Sequence, residues 1–328
     1  SDYYATISDE QGKLLLYTNG DSLFNGQHKL VNNGFLMFPV SNYENIWYQP
    51  MEFVPKPENP YIYYLVGANM EEKPGWGFPM FNDERNGLRY SIIDLSANNN
   101  EGEVIQKNIL LYKNTCDKLE AIHHSNGKDF WIISHDIQSD AFRTYLVTKD
   151  GFSIQPVITN IGDSVNSKSD YQNMEFATLM KISPDGKKIF HNLGWSNGLQ
   201  LFDFDNTTGK LSNFLKIRYS DLDFTAMEFS PDGKKIYGVS EDNLSQIQNL
   251  VQIDITKNNI EDIINSRIII DSLYDSSNVR ATMNLAPNGK ILVMYDKKNY
   301  LGSIECPNLK GKLCNFVKRA KNITLRPN

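Results

Sequence analysis

Apolar and polar residues alternate in short runs along most of this chain, and Gly, Pro, Asn and Asp separate the runs. "ATLMKIS", "KKIFHNL", "LQLFDFD" and "LSNFLKI" follow one another between residues 177 and 217. A period of two marks a half-buried β-strand, so these four runs predict four consecutive strands. The stretch before them reads the same way, as "LEAIHHS", "DFWIISH", "AFRTYLVT" and "FSIQPVIT". No 3.6-residue period is sustained anywhere. Only "NNIEDIINS" (Asn258–Ser266) predicts a short helix.

The first two strands of each set are joined by a recurring phrase. "ISPDGKKIF" (Ile182–Phe190) returns as "FSPDGKKIY" (Phe229–Tyr237). Pro fixes φ, Asp bonds its own backbone and Gly accepts positive φ, so each copy predicts a tight β-hairpin. Looser copies are "ISDEQGKLLLY", "FVPKPENPYIYYLV", "HHSNGKDFWII" and "NLAPNGKILV". The turn positions are Gly12, Asn59, Gly127, Gly186, Gly233 and Gly289, spaced by 47, 68, 59, 47 and 56 residues. A β-repeat of that length with four strands per unit predicts a β-propeller. The expectation is a single all-β domain over residues 1–328 with four-stranded antiparallel blades. Six blades are visible, and a seventh would need strands concealed in divergent segments.

Composition narrows the function classes. The chain has 328 residues, 12% of them aromatic, with a net charge of −6. No block of five or six like charges occurs, so nucleic acid is not an expected partner. No apolar run reaches the ~18 residues of a membrane helix, so insertion is not expected either. The chain starts at Ser1 without a basic-then-apolar segment, as a processed or excised domain would. Cys306 and Cys314 in "ECPNLKGKLC" could close a short hairpin loop as a disulfide or remain two packed thiols, and their spacing fits no zinc pattern.

Several longer stretches carry a resemblance: "ATISDEQGKLLLYTNGDSLFNGQHKLV", "VPKPENPYIYYLV", "LRYSIIDLSANNNEGEVIQKNILL", "KLEAIHHSNGKDFWIISHD", "LFDFDNTTGKLSN" and "IECPNLKGKLCNF". Together they resemble the β-propeller modules of secreted, cell-surface Bacteroidota proteins of the gliding-motility-associated or type IX secretion cargo type. The resemblance implies export and display at the cell surface or release from it, within a larger protein or complex. It implies no catalytic residues. The chain departs from the usual pattern in lacking a Gly- and Asn-rich stretch before the first hairpin and a C-terminal sorting domain.

Propeller topology places the turn phrases at one end of the blades and the B–C and D–A connections at the other. Loops carried by a rigid scaffold are where binding resides. The longest B–C connection, "GANMEEKPGWGFPMFNDERNG", carries Trp76, Phe78, Phe81 and Arg85. Other loops at that end offer His135 and Asp136, Trp195, and Asp242. The D–A side adds Tyr171, Glu175, Asp223 and Arg280. Aromatics interleaved with acids and amides suit a polar, ring-shaped ligand such as a sugar. Against this stands the structural reading, in which loop aromatics cover blade tops and loop acids are solvated.

The remaining motifs point to no chemistry. His124 and His135 lie at opposite ends of one predicted hairpin, about 20 Å apart, too far to share a metal. "DFDNTTGK" (Asp203–Lys210) lacks the Gly and Glu of a calcium-binding EF-hand loop and holds at most a weak structural calcium. No Gly-x-Ser-x-Gly, Walker or dinucleotide loop is present. The expectation is a non-catalytic binding or adhesion module without a cofactor, its partner a glycan or a cell-surface protein. The alternative is a carbohydrate-active hydrolase or lyase, or a lactonase-like propeller, with Glu175, Asp223 and Asp242 as its acids.

Overall fold

The computed structural model describes residues 5–35, 37, 51–69, 87–164, 179–192, 198–219, 222–242, 248–257, 259–274, 281–295 and 298–323. The fold is all-β, its antiparallel four-stranded sheets being the blades of a β-propeller. The chain divides into two compact units, Ser1–Gln172 with Asp205–Leu211, and Asn173–Phe204 with Ser212–Asn328.

In the first unit, β1 (Ala5–Ser8), β2 (Leu14–Thr18), β3 (Ser22–Asn25) and β4 (Leu30–Phe35) form one meander. A second comprises β5 (Met51–Pro55), β6 (Ile62–Asn69), β7 (Gly87–Asp94) and β8 (Glu103–Tyr112). The third sheet has β9 (Thr115–His123), β10 (Phe130–Asp136) and β11 (Ala141–Thr148), with β12 (Gly151–Phe152) and β13 (Val157–Asn160) both pairing with β11. The second unit holds β14 (Met180–Ile182), β15 (Lys188–Asn192), β16 (Leu199–Asp205) and β17 (Lys210–Ile217). Then come β18 (Leu222–Phe229), β19 (Lys235–Asp242), β20 (Gln248–Asp254) and β21 (Ile268–Tyr274), and finally β22 (Ala281–Leu285), β23 (Ile291–Tyr295), β24 (Tyr300–Ile304) and β25 (Phe316–Asn322).

The core lies between neighbouring sheets. Val54, Tyr64, Val66 and Leu88 meet Leu119, Phe130, Ile132 and Tyr145 in the first unit. Tyr237, Val239 and Leu250 meet Met283, Ile291 and Val293 in the second. A strand covered on both faces loses its alternation. Every residue of β10, "FWIISHD", is buried.

The repeated phrase has one hydrogen-bond pattern in both copies. Ser183 Oγ donates to Asp185 Oδ1 at 2.7 Å and accepts the Lys188 amide at 2.9 Å. Ser230 Oγ donates to Asp232 Oδ1 at 2.7 Å and accepts the Lys235 amide at 2.9 Å. Gly186 and Gly233 sit at φ +66° and +65°, the left-handed region that an L side chain rarely enters. Both serines are buried, so the phrase satisfies its own polar groups where water does not reach.

In the second meander the Asn59 amide donates to the Lys56 carbonyl at 3.1 Å, as the Gly186 amide does to the Ser183 carbonyl, and Glu58 takes the left-handed φ of +61°. One expectation is corrected. The fourth strand of the third sheet is not continuous over "FSIQPVIT". It breaks into β12 and β13 around Pro156, which has no amide to give the ladder. Cys306 and Cys314 are free thiols. Their backbones are joined, the Cys306 amide donating to the Cys314 carbonyl at 2.9 Å. The Cys314 side chain, however, is buried against Tyr237, and the Cys306 side chain is exposed. Burial pushes the Cys314 thiol up. A colorimetric thiol reagent should therefore titrate one cysteine rapidly in the native protein, lost in Cys306→Ser, and Cys116 and Cys314 only after denaturation.

One feature of the first unit has no counterpart in the sequence reading. The outer strands β4 and β8 pair in parallel at Asn32 and Glu103, which joins two meanders into an eight-stranded sheet. Asn33 Nδ2 donates to the Val104 carbonyl at 2.9 Å, and Lys107 Nζ donates to Asn33 Oδ1 and the Phe35 carbonyl. The predicted short helix forms at Ile260–Asn265, where Asn259 accepts the Asp262 amide as its cap.

Candidate functional site

The end of the first unit opposite the turn phrases is built by four strand termini. β8 ends at Tyr112, β9 begins at Thr115, β10 ends at Asp136 and β11 begins at Ala141. Strand register sets the neighbours. Asp136 lies opposite Thr115, His135 opposite Phe142 and Ser134 opposite Arg143.

Asp136, buried, and Arg143, half-buried, form an ion pair, with Nε 2.8 and 3.0 Å from the two carboxylate oxygens. The Tyr112 hydroxyl also bonds the Asp136 carboxylate, and the guanidinium carbon lies 3.6 Å from the centre of the Tyr112 ring. Such a stack uses the planar face of Arg while its edge serves the carboxylate. Burial pushes the Asp136 carboxyl up, against the pull of the Arg143 guanidinium and the Tyr112 hydroxyl. For Arg143 burial opposes the charge, and its bond to Asp136 outweighs it, so its pKa rises.

His135 is fully buried. Its Nδ1 lies 2.8 Å from the Asp136 carbonyl, which makes Nδ1 the protonated nitrogen of a neutral ring, and the ring meets Phe142 edge-on. Burial lowers its pKa to about 4. His135 and Asp136, expected to face a ligand, instead bind the B–C end of their own sheet together. Arg143 and Tyr112 complete the group and were not singled out from the sequence. The signal was present, since a lone Arg inside the apolar run "AFRTYLVT" needs a partner once the strand is buried. Lys118 and Glu120 of β9 are likewise buried, two residues apart.

His123 and His124 cap the other end of the same hairpin. His123 stacks on Phe130 at 4.2 Å, and His124 Nδ1 accepts the Asn126 amide at 2.9 Å. In the calcium-like stretch, Asp203 binds Lys188 and Asn213, whereas Asp205 accepts from Thr207 and Thr208. Its two acids therefore serve different partners. Among the described residues no group of three or more His, Cys, Asp or Glu could hold a metal ion.

In the second unit, the opening rungs of the β18–β19 ladder bring acids together along the backbone. Asp223 pairs with Glu241, and Leu222 with Asp242. Further along β18, Glu228 is buried and accepts from the Phe229 amide at 2.9 Å and from the Leu285 amide of β22 at 3.3 Å. Burial pushes its carboxyl up, with Lys181 of β14 pulling the other way. Lys181, Glu228 and Asn284 occupy the same place in three blades, two residues before the turn phrase. Trp76, Phe78, Phe81, Arg85, Tyr171, Glu175, Trp195 and Arg280 lie outside the described residues.

No family model matches the sequence, and no curated protein sequence matches it. Solved structures share the strand arrangement. The β-propeller domain of Cps50 (Swd1) from Myceliophteria thermophila is 10% identical over 88% of this chain and 78% of that one, with a TM-score of 0.45. A Kuenenia stuttgartiensis hydrazine synthase is 14% identical over 94% and 76%, with a TM-score of 0.47. A periplasmic gluconolactonase from Pseudomonas aeruginosa is 12% identical over 84% and 71%, with a TM-score of 0.42. At these identities the likeness is one of fold alone.

Proposed function

We propose that the chain is a non-catalytic binding module of an exported or cell-surface protein, which presents loops of a rigid propeller to a glycan or a surface protein. One observation carries this reading. The aromatic-rich connection 70–86 leaves and re-enters the sheet on a single rung, Asn69 opposite Gly87. The next residue, Leu88, pairs with Tyr112, the residue that stacks on Arg143 and bonds Asp136. The strands that carry the longest candidate loop thus run beside the Tyr112, Asp136 and Arg143 group. A loop on a fixed base loses less entropy on binding. Export and the Bacteroidota surface-protein reading rest on the sequence stretches that carry the resemblance.

The test is a glycan and polysaccharide array with the purified chain beside Trp76→Ala and Trp195→Ala. Sugar binding that falls at least about fivefold in either variant supports the reading; the estimate follows from the ~1–3 kcal/mol of a lost aromatic contact. Binding to no sugar and to no envelope protein in a pull-down would sink it. A second reading, hydrolysis of a glycoside or lactone, is favoured by the pairing of two acids, Asp223 and Glu241, on one rung. Product release that disappears in Asp223→Asn or Asp242→Asn would establish it instead.

A further inference from the structure

The connection between β24 and β25 has a construction unlike the other turns. Between Cys306 and Asn315 it runs through one 3-10 turn, Gly311–Cys314. Two buried side chains hold it from beneath. Tyr237 Oη donates to the Pro307 carbonyl at 2.8 Å. Gln252 grips it at two points, Nε2 donating to the Leu309 carbonyl at 2.8 Å and Oε1 accepting the Gly311 amide at 2.9 Å. Gly311 lies over Ile268 of β21, and Asn315 closes the turn in the left-handed region.

What this rigid frame presents outward is not polar. Leu313 is 71% exposed and Leu309 49%. Lys310 and Lys312 are exposed between them, with no acid in ion-pair contact among the described residues. The nearby carboxylates are already engaged, Asp232 by Ser230 and Glu305 by Lys290. From Cys306 to the end the chain has six Lys or Arg and no Asp or Glu, in a protein of net charge −6. The lysines of β25 have an ordinary purpose, since charge on an edge strand discourages pairing with another chain. That explanation does not reach the turn, which has no free ladder to guard. A single exposed leucine is commonplace. Two leucines flanking two unpaired lysines on a turn fixed from below are the combination that an anionic bilayer accepts, apolar tips at the acyl boundary and ammonium groups among headgroup phosphates.

We propose that the Leu309–Leu313 turn is a membrane-surface contact that docks the protein on an anionic lipid bilayer without crossing it. An acidic macromolecule would satisfy the lysines but give the leucines no partner, and this favours lipid. The inference is independent of the loop-end binding reading.

The experiment is co-sedimentation of the full chain with sucrose-loaded vesicles of phosphatidylcholine alone or mixed with phosphatidylglycerol, in low and high salt. Binding is expected only with phosphatidylglycerol and is expected to fall in high salt. Each basic residue near such a surface contributes about fivefold in partitioning, so Lys310→Glu with Lys312→Glu should lower it at least about twenty-five-fold. Leu309→Ser with Leu313→Ser should abolish vesicle binding as well. All four side chains are exposed, and unchanged circular dichroism and melting would show that the variants fold. Vesicle binding that the leucine variant retains, or that the lysine variant retains, overturns the proposal. Binding of soluble polyglutamate without vesicle binding also overturns it and assigns the turn to an acidic macromolecule.

Discussion

Arg143→Ala is expected to destabilise the protein by about 3 kcal/mol, the lower end of the cost of removing one partner from a buried ion pair, because Asp136 is buried while Arg143 is half-buried. The expectation comes from what stays behind. Asp136 is buried at the end of β10, and among the described residues its carboxylate without the guanidinium keeps only the Tyr112 side chain. The Tyr112 ring loses the cation stacked at 3.6 Å, and with it the packing of the Arg stem. Arg143→Lys should recover little, because an ammonium cannot serve a carboxylate edge-on and lie flat on a ring together. Asp136→Asn in the Arg143→Ala background should recover about half of the loss, since an amide is far less costly to bury than an uncompensated charge. Chemical denaturation of the four proteins measures this directly. Additive losses from Asp136→Asn and Arg143→Ala would mean that the two side chains do not support each other.

The scaffold could be read from the sequence because its determinants are local. Strand alternation and the Ser-Pro-Asp-Gly phrase act within about ten residues, and the structure returns "LQLFDFD" as β16 and the helix after Asn259. The misreading falls where one residue overrides a pattern: Pro156 splits a strand whose alternation ran straight through it. The parallel contact of β4 with β8 was not legible, because it depends on residues more than 70 positions apart. The candidate site was legible to a lesser extent for the same reason. His135 and Asp136 were placed at the correct end of their blade. Their burial was not foreseen, since it depends on Arg143, Tyr112 and Lys118, which alternation alone marks as ordinary strand positions. Of the two states left open for Cys306 and Cys314, the structure has the free thiols, one exposed and one buried, with their backbones joined.

Below pH 6.5 the protein is expected to lose stability in a step that belongs to His135. The folded ring is neutral, with a pKa near 4, against an ordinary value of 6.5. Above 6.5 the ring is uncharged in both states and costs nothing. As the pH falls from 6.5 towards 4, the unfolded chain takes up a proton that the folded protein refuses, so stability declines by about 1.4 kcal/mol per pH unit, to a total of ~3 kcal/mol, and no further below 4. Carboxylates held low, such as Asp203, Asp254 and Glu305, lose their contribution only at lower pH, through the ordinary carboxylate range and beneath it. Asp136 and Glu228, held high by burial, act in the opposite sense. Both are common to the parent and to a variant at His135, so the difference in slope between them over the interval from pH 6.5 to 5 is the part that belongs to His135. His135→Gln retains a side-chain donor and removes the titration. Denaturation midpoints measured across that interval should fall more steeply with falling pH in the parent than in the variant. The slope decides the matter and not the absolute stability, which the substitution will itself alter. Equal slopes in the two proteins would mean that His135 takes up its proton in the folded state, which the closed surroundings of Phe142 and the Asp136 carbonyl do not allow.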